Sequence, residues 1–117
     1  MTKLLNREAI LKANDLPTRD VSVPEWGGTV RVRSLTAADR EQIETAFVDA
    51  NEAGEALNGR ARYAAAAIIG DDGAALFTVD DVNALAMKSA AALDRVHKAV
   101  ADLNRLGEDG VEAAAKN

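Results

Sequence analysis

The chain has 117 residues, no cysteine and a formal charge of −5. A single domain of that length buries about two-thirds of its unfolded surface, and the missing thiols exclude a disulfide framework and a thiolate zinc site. The mild acidity argues against nucleic acid or an anionic membrane as the partner.

Apolar residues make up 48% of the chain, but 25 of them are alanine. Leu, Ile, Val and Phe together number 27, above the roughly one-fifth of a chain below which disorder is expected. The core is therefore expected to be thin and built from close-packed helices, with self-association into a homo-oligomer as a further source of stability. The opening stretch MTKLLNREAILKAND has no long apolar run and carries an early acid, unlike a secretory signal. No run approaches 18 consecutive apolar residues, so no membrane span is expected and the cytosol is the default location.

In chain order, Asn6 can cap a short helix over 6–13 that ends before Pro17, with Leu4 or Leu5 packing back on Ile10. Val21-Ser22-Val23 and Thr29-Val30-Arg31-Val32-Arg33 alternate, with Pro24-Glu25-Trp26-Gly27-Gly28 between them, which predicts a β-hairpin over 20–34. Its valines share one face, while Asp20, Ser22, Arg31 and Arg33 share the other. A lone hairpin is marginal in water, so the valine face must lie on helices.

Thr36 starts a helix over 37–51, with Ile43, Ala46, Phe47 and Ala50 along one stripe. A second helix over 56–69 carries Leu57, Ala61, Ala64, Ala65 and Ile68, and its run of small residues allows close approach by another helix. Gly70-Asp71-Asp72-Gly73 is a turn, and Ile68-Ile69 with Ala75-Leu76-Phe77 can form a very short second hairpin.

Thr78 is an N-cap with Asp80 and Asp81 in the first turn of a helix over 79–87. Ser89 caps another over 89–106, where Leu93, Val96, Val100 and Leu103 repeat in threes and fours and form one apolar seam. Gly107-Glu108-Asp109-Gly110 predicts a break, so residues 1–106 are expected to form the globular domain and 107–117 a flexible tail. The fold class expected is α+β, mostly α: a small helical domain with one N-terminal β-hairpin.

No catalytic, metal or cofactor site is expected. His97 stands alone at the edge of the seam, and Asp71-Asp72-Gly73 lacks the ligand spacing of a calcium loop. The helix dipole accounts for Asp80-Asp81. Gly27-Gly28 is followed by neither Lys-Ser/Thr nor a helix, so it is not a phosphate loop.

The remaining candidates concern partners. Trp26 either caps the valine face or anchors a partner. Arg31 and Arg33 lie on a solvated face or form ion pairs with a partner. Leu93, Val96 and Val100 are either the protein's own core or a docking seam.

Four stretches taken together resemble the tail assembly chaperones of long-tailed bacteriophages and their prophage relatives. These are LLNREAIL, LPTRDVSVPEWGGTVRVRSLTAADR, RARYAAAAIIGDDGAALFTVDDVNAL and KSAAALDRVHKAVADLNRL. The resemblance covers the chain up to Leu106 and rests on pattern over length. It implies a non-catalytic protein of the host bacterial cytoplasm that binds the tape measure protein, keeps it soluble, helps recruit tail tube subunits and is absent from the mature virion. It also implies a longer form, made by a −1 frameshift, that reaches the major tail tube protein. Ala115-Lys116-Asn117 can be encoded GCA AAA AAC, which contains the slippery run A AAA AAC. The alternative is a structural connector or minor virion component of a phage.

Overall fold

A computed structural model describes the backbone of residues 3–116 and the side chains of residues 3–104. The fold is α+β and mostly helical, with a three-stranded antiparallel sheet in the order β1-β2-β3. β1 is Thr18–Val23 and β2 is Gly28–Arg33, with Val21 opposite Val30 and Asp20 opposite Arg31. Period-2 alternation therefore puts Val21, Val23, Val30 and Val32 on one face, where Val23 and Val32 are fully buried. Asp20 and Arg31 pair on the other face at 2.7 Å.

The turn between the strands is a single 3-10 turn, Pro24–Trp26. Gly27 closes it with φ +72°, in the left-handed region where a side chain would be strained, and its N–H donates to the Pro24 carbonyl at 3.0 Å.

The third strand is short. β3, Ile68–Ile69, pairs with β2 through Val32 opposite Ile68. Ile69 also bridges Ala75, and the Leu76 N–H donates to the Ile68 carbonyl at 3.2 Å, so the small second hairpin forms as well. The sequence predicts a helix through Ile69, but the chain leaves helical geometry at Ile68. Two β-branched residues meeting an open strand edge gain ladder hydrogen bonds there.

Among the described residues, five helices complete the fold. α1 is Arg7–Lys12, capped by Asn6, and it buries no residue. Leu4, Leu5 and Ile10 are all more than half exposed, so the expected packing of Leu4 or Leu5 on Ile10 covers little of either. α2 is Ala37–Ala53, opened by a capping box in which the Asp39 N–H donates to Thr36 Oγ1 at 3.0 Å and the Thr36 N–H donates to Asp39 Oδ2 at 3.2 Å. α3 is Gly59–Ala67, later in starting than the sequence predicts, because Asn58 adopts a left-handed backbone before it.

The predicted helix at 79–87 is a 3-10 turn over Val79–Asp81 that leads into α4, Val82–Ala86. The Thr78–Asp81 capping box starts it, with the Thr78 N–H donating to Asp81 Oδ2 at 2.9 Å. α5 is Ala90–Lys116, and Ser89 Oγ accepts from the Ala92 N–H at 3.3 Å. Its backbone stays helical through Gly107, where the sequence predicts a break. A glycine inside a helix costs about 1 kcal/mol relative to alanine, which weakens a helix without ending it.

The core lies between the valine face of the sheet and α3, α4 and α5. Val23, Val32 and Ile68 from the strands meet Leu93, Val96, Val100 and Leu103 from α5. Ala61, Ala64, Ala65 and Ala67 of α3 are buried in the same cluster, and their small side chains let α4 and α5 pack close to the α3 backbone. Ion pairs stitch the rim: Arg95 to Glu25 at 3.0 Å, Arg60 to Asp94 at 2.9 Å and Arg19 to Asp102 at 3.6 Å. Exposed pairs of this kind contribute little each and mainly fix orientation. A hydrogen bond from the Leu35 N–H to Asn104 Oδ1, 3.2 Å, ties the end of the hairpin to α5.

Candidate functional site

The residues singled out from sequence do not form one site. Leu93, Val96 and Val100 are at most 4% exposed and sit in the core, so the seam is the protein's own and offers no surface to a partner in this fold. Trp26 is half-buried and packs on the core at the hairpin turn. Arg31 is exposed and held by Asp20 through Nε and Nη2, at 2.7 and 3.3 Å, which lowers the Asp20 carboxyl below its ordinary range. Arg33 is half-buried, 3.5 Å from Asp39, and its Nε is buried without a hydrogen-bond partner.

His97 stacks edge-on against Tyr63, with centroids 4.9 Å apart. Burial lowers its pKa from the ordinary 6.5; Arg60 adds to the shift and Asp94 opposes it. Among the described residues there is no cluster of three or more metal-ligating side chains. Among them, too, no helix is long and apolar enough to cross a membrane.

Arg33 marks a feature that sequence reading did not find. It borders an open cleft of about 720 Å³ between α2 on one side and α3 with the segment Ala75–Val82 on the other. Helical geometry orders the α2 wall into rows. Ile43 and Ala50 face inward and are the two buried residues of the helix. Ala38, Gln42 and Ala46 line the trough, and Glu41, Thr45 and Asp49, spaced i, i+4, i+8, form the outer rim. The opposite wall is Ala65, Ala66, Ala75, Phe77, Val79 and Val82, with Arg62 at its edge.

The polar groups of the cleft divide into engaged and open ones. Arg33 faces Asp39, and Arg62 Nε donates to the Leu57 carbonyl at 2.7 Å. Among the described residues, Glu41 and Asp49 have no ion-pair partner. The unpaired carboxylates therefore lie on the α2 rim, and the one cation without a carboxylate partner among the described lining residues, Arg62, lies at the edge of the opposite wall. With apolar walls and no convergent set of free polar groups, the arrangement suits contact with another apolar surface better than chemistry on a small molecule.

Comparison with known proteins places the fold. Neither a family model nor a curated protein matches the sequence. Solved structures do match. The chain shares the fold of the tail assembly chaperone of bacteriophage HK97. The two superpose with a TM-score of 0.62 over 83% of this chain and 89% of that one, at 19% sequence identity. At 19% identity the likeness is one of fold, and that fold belongs to a protein of the kind that the sequence resembles. The hairpin, the Asp-Gly turn and the seam helix that carry the resemblance are β1–β2, the turn after β3 and α5.

Proposed function

We propose that this chain is a non-catalytic tail assembly chaperone of a long-tailed bacteriophage. It binds the tape measure protein in the host cytoplasm, keeps it soluble and helps recruit tail tube subunits, and it is left out of the finished particle. The observation that carries the reading is the shared fold with the HK97 chaperone across most of both chains. The apolar cleft along α2 supports it, since a chaperone for a long helical client needs an exposed trough that accepts helices. A frameshifted longer form reaching the tail tube protein belongs to the same proposal. It requires A AAA AAC over the codons for Ala115-Lys116-Asn117 and an open −1 frame beyond them.

The test is co-expression with the tape measure protein of the phage genome that carries this gene. The client is expected in the soluble fraction and bound to this chain when both are made, and in the pellet when it is made alone. A client that is equally soluble without this chain, and does not co-purify with it, ends the proposal. Stoichiometric presence of the chain in purified particles would instead favour a structural connector or minor virion component.

A further inference from the structure

The α2–α3 cleft has a defined length, lining and charge, and together these specify its occupant. We infer that the cleft takes an amphipathic helix whose apolar stripe consists of large side chains flanked by Lys or Arg. The inference rests on the client-binding reading above and names the chemistry of the segment that is bound.

Length comes first. The α2 wall runs from Ala38 to Asp49, a rise of about 16 Å at 1.5 Å per residue, which matches about three turns of a second helix laid alongside. The lining comes next. Ala38, Ala46, Ala65, Ala66 and Ala75 leave hollows where a helix pair would normally interdigitate. Knobs-into-holes packing then requires the partner to bring the bulk, as Leu, Ile, Met or Phe at i, i+3, i+4, i+7.

Charge decides the flank. Arg33 is paired with Asp39, and Arg62 donates to the neutral Leu57 carbonyl and keeps its charge at the edge of the opposite wall, away from the α2 rim. Glu41 and Asp49 are open and stand eight residues apart on the rim, about 12 Å or just over two turns. Two basic side chains at that spacing on the occupant face them. A helix with acidic flanks meets the same two carboxylates as like charges.

The experiment uses the full chain and two synthetic 18-residue helical peptides with the same leucine stripe, one flanked by lysine and the other by glutamate. Binding is read by fluorescence anisotropy of the labelled peptide at 50 mM and 500 mM salt. The lysine peptide is expected to bind on the order of tenfold more tightly at low salt, with the preference shrinking at high salt. The double variant Glu41→Lys/Asp49→Lys changes only exposed positions, and its far-UV spectrum and urea midpoint confirm the fold. It is expected to reverse the preference.

Equal binding of both peptides, binding of neither, or an unchanged preference in the double variant overturns the inference. So does a wild-type dimer that the double variant dissolves, because the cleft then holds a second copy of this chain. Co-purification of the tape measure protein separates the two levels. If wild type and double variant retain the client equally, the docking site is wrong and the chaperone reading stands. If wild type does not retain it, the chaperone reading itself fails.

Discussion

Substitution of Val96 tests whether the α5 seam is core. The side chain is completely buried between the sheet and α3. Val96→Ala removes two methyl-sized groups, about 1.6 kcal/mol at 0.8 per group, and the residual cavity raises the cost to about 2–3 kcal/mol. Val96→Asp puts an unpaired carboxylate among Val23, Val32, Ile68 and Val100, which costs about 4 kcal/mol or more. A domain of 117 residues is expected to have roughly 6–18 kcal/mol of total stability, and an alanine-rich core places this one at the low end. Val96→Asp is thus expected to leave the domain with about 2 kcal/mol of stability or less.

The assay is urea unfolding followed by circular dichroism. Val96→Ala is expected to lower the midpoint by about 1–2 M at an unchanged slope of about 1.5 kcal/mol/M. Val48→Asp, on the exposed side of α2, serves as the control and is expected to change stability by no more than about 0.5 kcal/mol. If Val96→Asp and Val48→Asp unfold alike, the seam faces solvent and the packing described above is refuted.

Three other measurements follow from the same structure. Ala64 is fully buried where α3 meets its neighbours, so Ala64→Leu is expected to overpack that contact and destabilise by about 1–3 kcal/mol, read from the same urea curves. Thr36→Ala removes one half of the α2 capping box. It is expected to cost about 1 kcal/mol and to increase amide exchange in the first turns of α2 without changing exchange in α5. His97 is held below its ordinary pKa of 6.5, chiefly by burial, so as pH falls the unfolded chain takes up the proton first and stability is lost from about 6.5 down through the folded value. Replacing His97 with Gln is expected to flatten that limb of the stability-against-pH curve, and an NMR titration of the ring that gives 6.5 or above would contradict the burial argument.

Much of the fold was legible because local rules and tertiary packing agree. Alternating valines specify a face, and burial of Val23 and Val32 uses it. Thr36, Thr78 and Ser89 accept backbone hydrogen bonds where their spacing to the following acids or apolar residues implied a cap. The misses have physical causes too. Ile68-Ile69 continues a helical stripe in sequence, yet the edge of β2 lies beside it and captures it as a strand. The short hairpin with Ala75 and Leu76 was legible locally, but the β2 partner is more than 30 residues away and no local pattern announces it. Asn58 in a left-handed conformation delays α3; Asn-Gly is a turn signal, but the apolar stripe that begins at Leu57 outweighs it when periodicity alone is read. The seam of α5, spaced in threes and fours, was visible, but periodicity alone does not say whether a stripe meets its own chain or another.

The cleft was illegible for a different reason: it arises from incomplete filling, not from any motif. The Ala64–Ala67 run lies on α3, and its side chains point in more than one direction. Ala61, Ala64 and Ala67 are covered by the sheet, α4 and α5, which bring valine and leucine into the space that alanine leaves. Ala65 and Ala66 look toward α2, which answers mainly with Ile43, Ala46 and Ala50, and small residues on both sides leave a trough. Two left-handed residues, Gly54 and Asn58, join α2 to α3, and only two side chains of α2 are buried. α2 is therefore the least anchored of the long elements around the core, and few buried apolar contacts mean a low free energy for local opening. A partner helix that supplies the missing bulk would deepen the contact on both walls at once. The same composition that makes the core thin thus leaves one helix pair unfinished, and completing that pair is the physical work that a helical client can do.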